Sequence, residues 1–437
     1  MQQWNLPLAF AATLSSGLGG CKAPPETSTR LVAGEGSFYE CPAPAYRCGF
    51  AVAAGSDLDH DGRAEWAASA PMGNASTSHD ALVVVRAANG EIVAVRQPDA
   101  AMRWPQNFGH TLSAGLDVTG DGFPDLAYSL FSAEEYGRAY VASSTDGNLD
   151  ATLVVDDPDG AQTMPASLAL LPGSEGADVL VASQSGYFRW DRFASGVVEA
   201  GTQTTSTQAN AEVFGAWHDG VYQRVGMVAI APSEGGSSSS WVGALWQSPD
   251  QDHTTAIGTA FVCPDESGLQ VPEDCRILGE PGLPNCGQQQ IAGDLNGDGL
   301  PELVTSGGSE PGADGLVRVY DGTGPLLATI VGTSGTGLGR ALTYLVDSDG
   351  SPWLVMGQHN MGGDADGIVF AFRGERVLGH LSDKDADRAF TNGTSGPGGA
   401  FGHSIATYRE TPGSPISLVI GSPYEGDGRV YVVSFEP

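Results

Sequence analysis

One pattern recurs along this chain and constrains its fold more than any other feature. The segment from Phe50 reads FAVAAG, an acidic loop, AEWAASAP, ALVVVRA, an Asn89-Gly90 turn and EIVAVRQ. That is four short strands, the last two joined by a dipeptide that closes tight hairpins. A second unit reads TLSAGLD, DLAYSLF, RAYVASS and TLVVDD; a third reads SLALLPG, DVLVASQ, GYFRWDR and GVVEAG. The fourth is EVFGAWHD, VGMVAIAP, WVGALWQ and TAIGTAFV, and the fifth QQIAGDL, ELVTSGG, GLVRVYD and LLATIVG. The sixth is ALTYLVD, WLVMGQ, GIVFAFR and RVLGHL; the seventh stops after HSIATY, SLVIGSP and RVYVVSF. Gly49 and Gly402 lie 353 residues apart, six intervals of about 59. Six units of four strands and one of three make an expected 27 strands. The spacing predicts an all-β, seven-bladed β-propeller of four-stranded antiparallel blades over residues 46–437, two separate sandwiches being the alternative. The seventh blade lacks its outer strand, and an N-terminal strand is expected to complete it, with Arg30–Ala33 the candidate.

Three units carry a loop dense in oxygen donors between their first and second strands. Loop one is Asp57, Asp59, Asp61, Arg63 and Glu65 at positions 1, 3, 5, 7 and 9. Loop two has Asp117, Thr119, Asp121, Phe123 and Asp125; loop five has Asp294, Asn296, Asp298, Leu300 and Glu302. Side-chain oxygens at 1, 3, 5 and 9 plus the position-7 carbonyl suit a hard cation taking six or more oxygens at about 2.4 Å. Glycine at position 6 lets the backbone turn inward. An EF-hand is excluded, because its position-12 acid is replaced by Ala68, Tyr128 and Thr305. No His or Cys stands at a ligand position, so a transition metal is not expected. About three calcium sites are. The sixth unit keeps Asp347, Asp349 and Gly350 but has Trp353 and Leu345 where ligands belong, and no ion is expected there.

Phe108–Ser129, FGHTLSAGLDVTGDGFPDLAYS, resembles the FG-GAP repeats of integrin α-chain propellers and their bacterial relatives. So does Phe401–Tyr408 (FGHSIATY) with Gly421-Ser422-Pro423, and Ser69-Ala70-Pro71 stands where GAP falls. The resemblance covers about residues 45–437 and is specific in the first, second, fifth and seventh units. It implies a seven-bladed propeller with calcium on hairpin loops at one face, a surface or secreted location in bacterial relatives, and no shared enzymatic activity. The family's DxSxS adhesion motif is absent: Asp265-Glu266-Ser267 runs into Gly268-Leu269.

Composition narrows the partners. The chain carries 52 acidic against 20 basic side chains, a net charge of −32. Such a surface repels phosphate backbones and anionic headgroups, so no nucleic acid is expected, and membrane contact only through a lipid. Residues 1–21 read as a signal peptide: Leu6–Leu14 is a short apolar run, and Leu18-Gly19-Gly20-Cys21 resembles a lipobox ending at a lipidated cysteine, although no Lys or Arg precedes the run. Residues 22–45 are then a tether and closing strand. In an exported chain, closely spaced cysteines favour local disulfides; Cys41 with Cys48 is the expected pair, and Cys263, Cys275 and Cys286 allow one bridge in any of three ways. The expected location is extracytoplasmic, at the cell surface, in the outer membrane or secreted, and the expected state a monomer.

Catalytic motifs fail. HExxH and GxSxG do not occur, and Gly335–Gly339 lacks the residues of a phosphate loop. The Ser-rich stretch Gly235–Ser240 and the acidic turns Met361–Asp366 and Asp383–Asp387 read as solvated loops. The expected function is a calcium-stabilised scaffold for binding or adhesion to a protein or glycan ligand, with no enzymatic activity. An exported polysaccharide hydrolase or lyase on the same fold is the alternative, which needs paired carboxylates in the central channel.

Overall fold

The structure is a computed structural model. It describes residues 29–32, 38–43, 45–73, 81–98, 108–118, 122–130 and 289–435, apart from 308–314, 323, 333–336, 360–366 and 394–398; between 131 and 288 it describes the strands alone. Among these residues 34 strands form seven main sheets and one two-stranded ladder. Among the described residues helix is confined to two single turns, Gly374–Arg376 and Asp383–Asp385.

The first sheet explains why its strands read as nearly unbroken apolar runs. Its order is Val52–Ser56, Glu65–Ala70, Leu82–Arg86 and Ile92–Arg96, all antiparallel. Side chains alternate between two faces, and both faces are covered. Ala67, Val83 and Val85 pack with Phe108, Leu126 and Tyr128 of the second unit. Trp66, Ala68, Leu82 and Val84 pack with Tyr408, Val419 and Val430 of the seventh. Each buried large side chain there contributes about 1.5–3 kcal/mol. Equivalent cores lie between units five and six and between six and seven. The outermost strand Ile92–Arg96 is only half-covered, and Ile92 and Val95 are exposed.

A glycine at the entry to a first strand makes the seam between neighbouring sheets, in an FG pair at Gly109 and Gly402 and after Leu338 at Gly339. Gly109, Gly339 and Gly402 hold φ of 73°, 88° and 87°. A Cβ on Gly109 would meet Ser69 and Val83, one on Gly339 Ser306 and Val317, and one on Gly402 Val369 and Gly357. Each therefore presses on the unit before its own. Gly49 (φ 82°) makes the same contact on the seventh unit, where a Cβ would stand 2.5 Å from the Arg429 carbonyl oxygen. First strands adjoin in series, and Ser404–Arg409 of the seventh unit lies against Val52–Ser56 of the first.

The N-terminal segment corrects the expected clasp. Thr29–Val32 does not complete the seventh sheet; it pairs in parallel with Arg388–Thr391, the outer strand of the sixth. The seventh sheet takes Phe38–Tyr39, antiparallel to Arg429–Ser434. The reason lies in a connection that recurs. Between its third and fourth strands, the third unit sends Thr202–Thr205 in parallel onto Leu149–Val155 of the second sheet. The sixth likewise sends Gly379–Ser382 onto Leu326–Val331 of the fifth. Thr29–Val32 on the sixth sheet and Phe38–Tyr39 on the seventh stand in the same two places for the seventh unit. Each crossing covers an edge whose N–H and C=O groups would otherwise stand open.

The same crossings shift other expected strands. Arg376–Leu381 is not the sixth fourth strand; Arg388–Thr391 is, antiparallel to Ile368–Arg373. Ala211–Val213, expected to open the fourth unit, closes the third sheet against Gly186–Trp190. The fourth sheet starts with Tyr222–Val225 and Ala229–Ala231, both on Ser240–Ser248, and ends with Arg276–Pro284. These units lack an oxygen-rich loop to mark where the second strand begins, so length alone misassigns them. The acidic turn Asp383–Asp387 is structural: Asp385 caps Ser382, and Asp387 accepts from the Arg373 backbone and pairs with Arg376.

Candidate metal centre

Loop one runs from the end of Val52–Ser56 to the start of Glu65–Ala70. Gly62 (φ 87°) turns it, with its N–H on Asp57 Oδ2 at 3.0 Å. The Asp61 N–H donates to Asp59 Oδ1 and the Arg63 N–H to Asp61 Oδ1, at 3.1 and 2.8 Å. These bonds wrap the backbone around the carboxylates, and the oxygens of Asp57, Asp59 and Asp61 come within 4.8 Å of one another. Beneath them Glu65 is 1% exposed. Its Oε2 accepts from the Leu58 and Asp59 N–H groups at 2.6 and 3.3 Å. Glu65 Oε1 and Asp57 Oδ1 are buried without a hydrogen-bond partner. Burial pushes the Glu65 carboxyl up to about 7, against the Leu58 N–H, with the charges of Asp59 and Asp57 adding to the rise.

Loop five repeats the frame. The Leu295 N–H donates to Glu302 Oε2 at 2.6 Å, Gly299 (φ 85°) to Asp294 Oδ2 at 2.9 Å, and Leu300 to Asp298 Oδ1 at 2.8 Å. Glu302 is 0% exposed, and burial raises its carboxyl to about 7. The convergence differs from loop one. Asp298 and Glu302 meet Asp321, all three within 4.8 Å, while Asn296 Nδ2 bridges Asp298 Oδ2 and Glu302 Oε1 at 3.0 and 2.8 Å. An ion here would need the Asn296 amide turned to present its oxygen. Asp321, from the turn after Leu316–Tyr320, was not legible as a ligand. Ala87 holds that place in the first unit, so no periodicity announces it.

In loop two the structure describes Asp117, Phe123 and Asp125; Thr119 and Asp121 lie outside the described residues. Asp125, 0% exposed, accepts the Val118 N–H at 2.6 Å, and Asp117 Oδ2 accepts Gly122 at 2.9 Å. The three frames therefore share one construction. A buried acid at position 9 accepts the N–H of position 2, and the position-1 carboxylate accepts that of glycine 6.

The sixth loop is built otherwise. Trp353 Nε1 donates to Asp347 Oδ2 at 2.8 Å, and Ser351 and Asp349 N–H groups hold Oδ1. Burial works to raise Asp347, yet these donors and Arg373 hold it below its ordinary value. A neutral indole here donates to the position-1 carboxylate, one oxygen of which loop one leaves without a partner.

The loops touch along one face. His60 of loop one stacks on Phe123 of loop two, ring centres 3.2 Å apart, and Arg63 pairs with Glu410 of the seventh unit at 3.0 Å. Tyr344 of the sixth unit donates its hydroxyl to the Asp294 carbonyl at 3.1 Å.

Cys41 and Cys48 form a disulfide, Cα atoms 5.5 Å apart. Cys21, Cys275 and Cys286, the apolar run Leu6–Leu14, Gly235–Ser239 and Met361–Asp366 lie outside the described residues. No helix among the described residues is long and apolar enough to cross a membrane.

No protein-family model and no curated protein matches the chain. Among solved structures it is similar to the Dos1 propeller, with 12% identity and a TM-score of 0.47 over 87% of this chain and 76% of that one. A chain in the humanized mutant of the Chaetomium thermophilum Polycomb Repressive Complex 2 bound to the inhibitor GSK343 gives 11%, 0.48, 91% and 96%. Apo ctPRC2 in an autoinhibited state gives 11%, 0.47, 89% and 93%. At these scores the likeness carries no argument about function.

Proposed function

We propose that this chain is an exported, calcium-stabilised seven-bladed β-propeller of the FG-GAP kind, serving as a surface scaffold for a protein or glycan ligand. The observation that carries the calcium reading is in loop one: two buried carboxylate oxygens, Glu65 Oε1 and Asp57 Oδ1, have no partner beside three converging acids. Buried charged oxygens are strongly destabilising without a counter-charge. The donors are all oxygen, which fits a hard dication. Asp57, Asp59, Asp61 and Glu65, with the Arg63 carbonyl, would hold one ion; Asp117, Thr119, Asp121, Asp125 and the Phe123 carbonyl a second. Asp294, Asn296, Asp298, Glu302 and the Leu300 carbonyl, joined by Asp321, would hold the third. Bound there, calcium neutralises the cluster and locks the hairpin; no reaction step is assigned to it.

A closed ring of seven is supported by Gly49, which repeats on the seventh unit the contact that three other glycines make on their neighbours. Export is supported by the apolar start and by the Cys41–Cys48 bridge, a bond of oxidising compartments. Calorimetric titration of calcium into chelator-treated protein tests the reading. About three sites are expected, and an absence of calcium binding would overturn it.

A further inference from the structure

In four units the residue after the seam glycine stands at the start of the first strand. In the first, second, sixth and seventh units these residues are Phe50, His110, Arg340 and His403. They converge. Phe50 lies 5.0 Å from the His110 ring and 4.8 Å from that of His403. His359, which ends the Gly357-Gln358-His359 run where Pro71 and Pro423 stand in other units, stacks on His403 at 5.0 Å and 19°. Tyr424 meets His403 edge-on at 5.9 Å, and the Arg47 guanidinium lies 4.8 Å from the Tyr424 ring centre.

His359 and His403 are 5% and 6% exposed, while Phe50, His110, Arg340, Arg47 and Tyr424 are half-buried. Both ring nitrogens of His359, Nδ1 of His403 and Nε of Arg47 are buried without a hydrogen-bond partner. Buried polar atoms are nearly always satisfied, so such a concentration calls for a bound partner or water. The charge is also unlike the rest of the molecule. In a chain of net charge −32, the groups that bear on these imidazoles are all basic: Arg340 on all three, and His359, His110 and Arg47 on His403. Burial first, and then Arg340, hold the three imidazoles below their ordinary value, to about 4 for His110 and about 3 for His359. Neutral imidazoles keep an N–H donor each beside the guanidinium.

A transition metal fits poorly. The His359 and His403 rings face each other, so their nitrogens do not converge on one point, and Arg340 repels a dication. No group of three histidines meets the spacing of a metal site among the described residues. An oxyanion fits, because guanidinium forks and N–H donors are what carboxylates and tetrahedral anions accept from.

We propose that Arg340, Arg47, His110, His359 and His403 form a binding site for a small oxyanion, carboxylate or tetrahedral, where the first strands converge. The test is titration of acetate and of sulfate into the full calcium-loaded chain at pH 7, with chloride at matched ionic strength as reference. Saturable binding and a raised Tm with at least one anion are expected, and Arg340→Gln should weaken that binding at least tenfold while leaving the calcium response in place. Preference for acetate or sulfate would identify the ligand group. In the unmutated protein, the imidazole nitrogen resonances of His359 and His403 should move with the bound anion and not with chloride. Absence of saturable binding, or resonances indifferent to both anions, would mean that water fills the site and would overturn the proposal.

Discussion

His60 holds a left-handed backbone, φ 65°, at loop position 4, where loop five has Gly297 at 80°. A side chain in that region costs about 1–2 kcal/mol, and the stacking on Phe123 offsets part of it. His60→Ala should therefore keep the strain and lose the stack, whereas His60→Gly loses both. The glycine variant is expected to be about 1 kcal/mol more stable than the alanine variant in urea unfolding. Glu65 and Glu302 set the pH response of the calcium loops. Their folded values near 7 lie above the unfolded value of 4.5, so the ion-free folded protein keeps protons that the unfolded chain has lost. These two groups alone make stability without calcium fall as pH rises from about 4.5 to 7. The depressed imidazoles of His110, His359 and His403 work the other way in both calcium-loaded and ion-free protein, and so cancel in the difference between them. Calcium needs the ionised form, so its affinity should rise over the same window. The gap in Tm between calcium-loaded and chelator-treated protein is expected to widen from pH 5 to pH 8, and less so in Glu65→Gln; a constant gap would contradict this account.

At the scale of elements, glycines separate two kinds of cost. Gly62 has φ 87°, and a Cβ there would have nothing within 4 Å, so Gly62→Ala should cost about 1 kcal/mol from backbone strain alone. Gly49→Ala adds a clash with the Arg429 carbonyl at 2.5 Å and should cost about 2–4 kcal/mol. Equal losses in thermal unfolding would deny the seam between first and seventh units. The crossing segment Thr29–Tyr39 covers two outer edges, Arg388–Thr391 and Arg429–Ser434. Its deletion should lower Tm and promote association, read by calorimetry and light scattering. Unchanged behaviour would mean those edges need no cover.

For the whole molecule, the three calcium ions proposed would reduce a charge of −32 only to −26, so their expected action is to lock loops and not to neutralise the surface. Ligand binding confined to the folded state stabilises each site by about 1.4 kcal/mol at ten times its Kd, with Kd expected at about 10⁻⁴–10⁻³ M or tighter. Tm should climb with calcium, and Asp61→Ala, Asp121→Ala and Asp298→Ala should each remove one part of the gain. Because His60 stacks on Phe123 and Arg63 pairs with Glu410, loss of site one should also weaken site two more than site five. Equal affinities for sites two and five before and after Asp61→Ala would contradict that coupling. What the sequence determined by itself was local: the period near 59, the oxygen positions with glycine at 6, the Cys41–Cys48 pair, and the short strands that the turns separate. These depend on a few neighbouring residues, through φ, side-chain reach and alternation. The tertiary structure alone decided which sheet each crossing strand joins, because an open edge offers N–H and C=O groups that any extended segment can take. It alone brought Asp321 to loop five, and Phe50, His110, Arg340, His359 and His403 together, since residues in different repeats meet only where the packing of whole sheets turns their first strands toward one another.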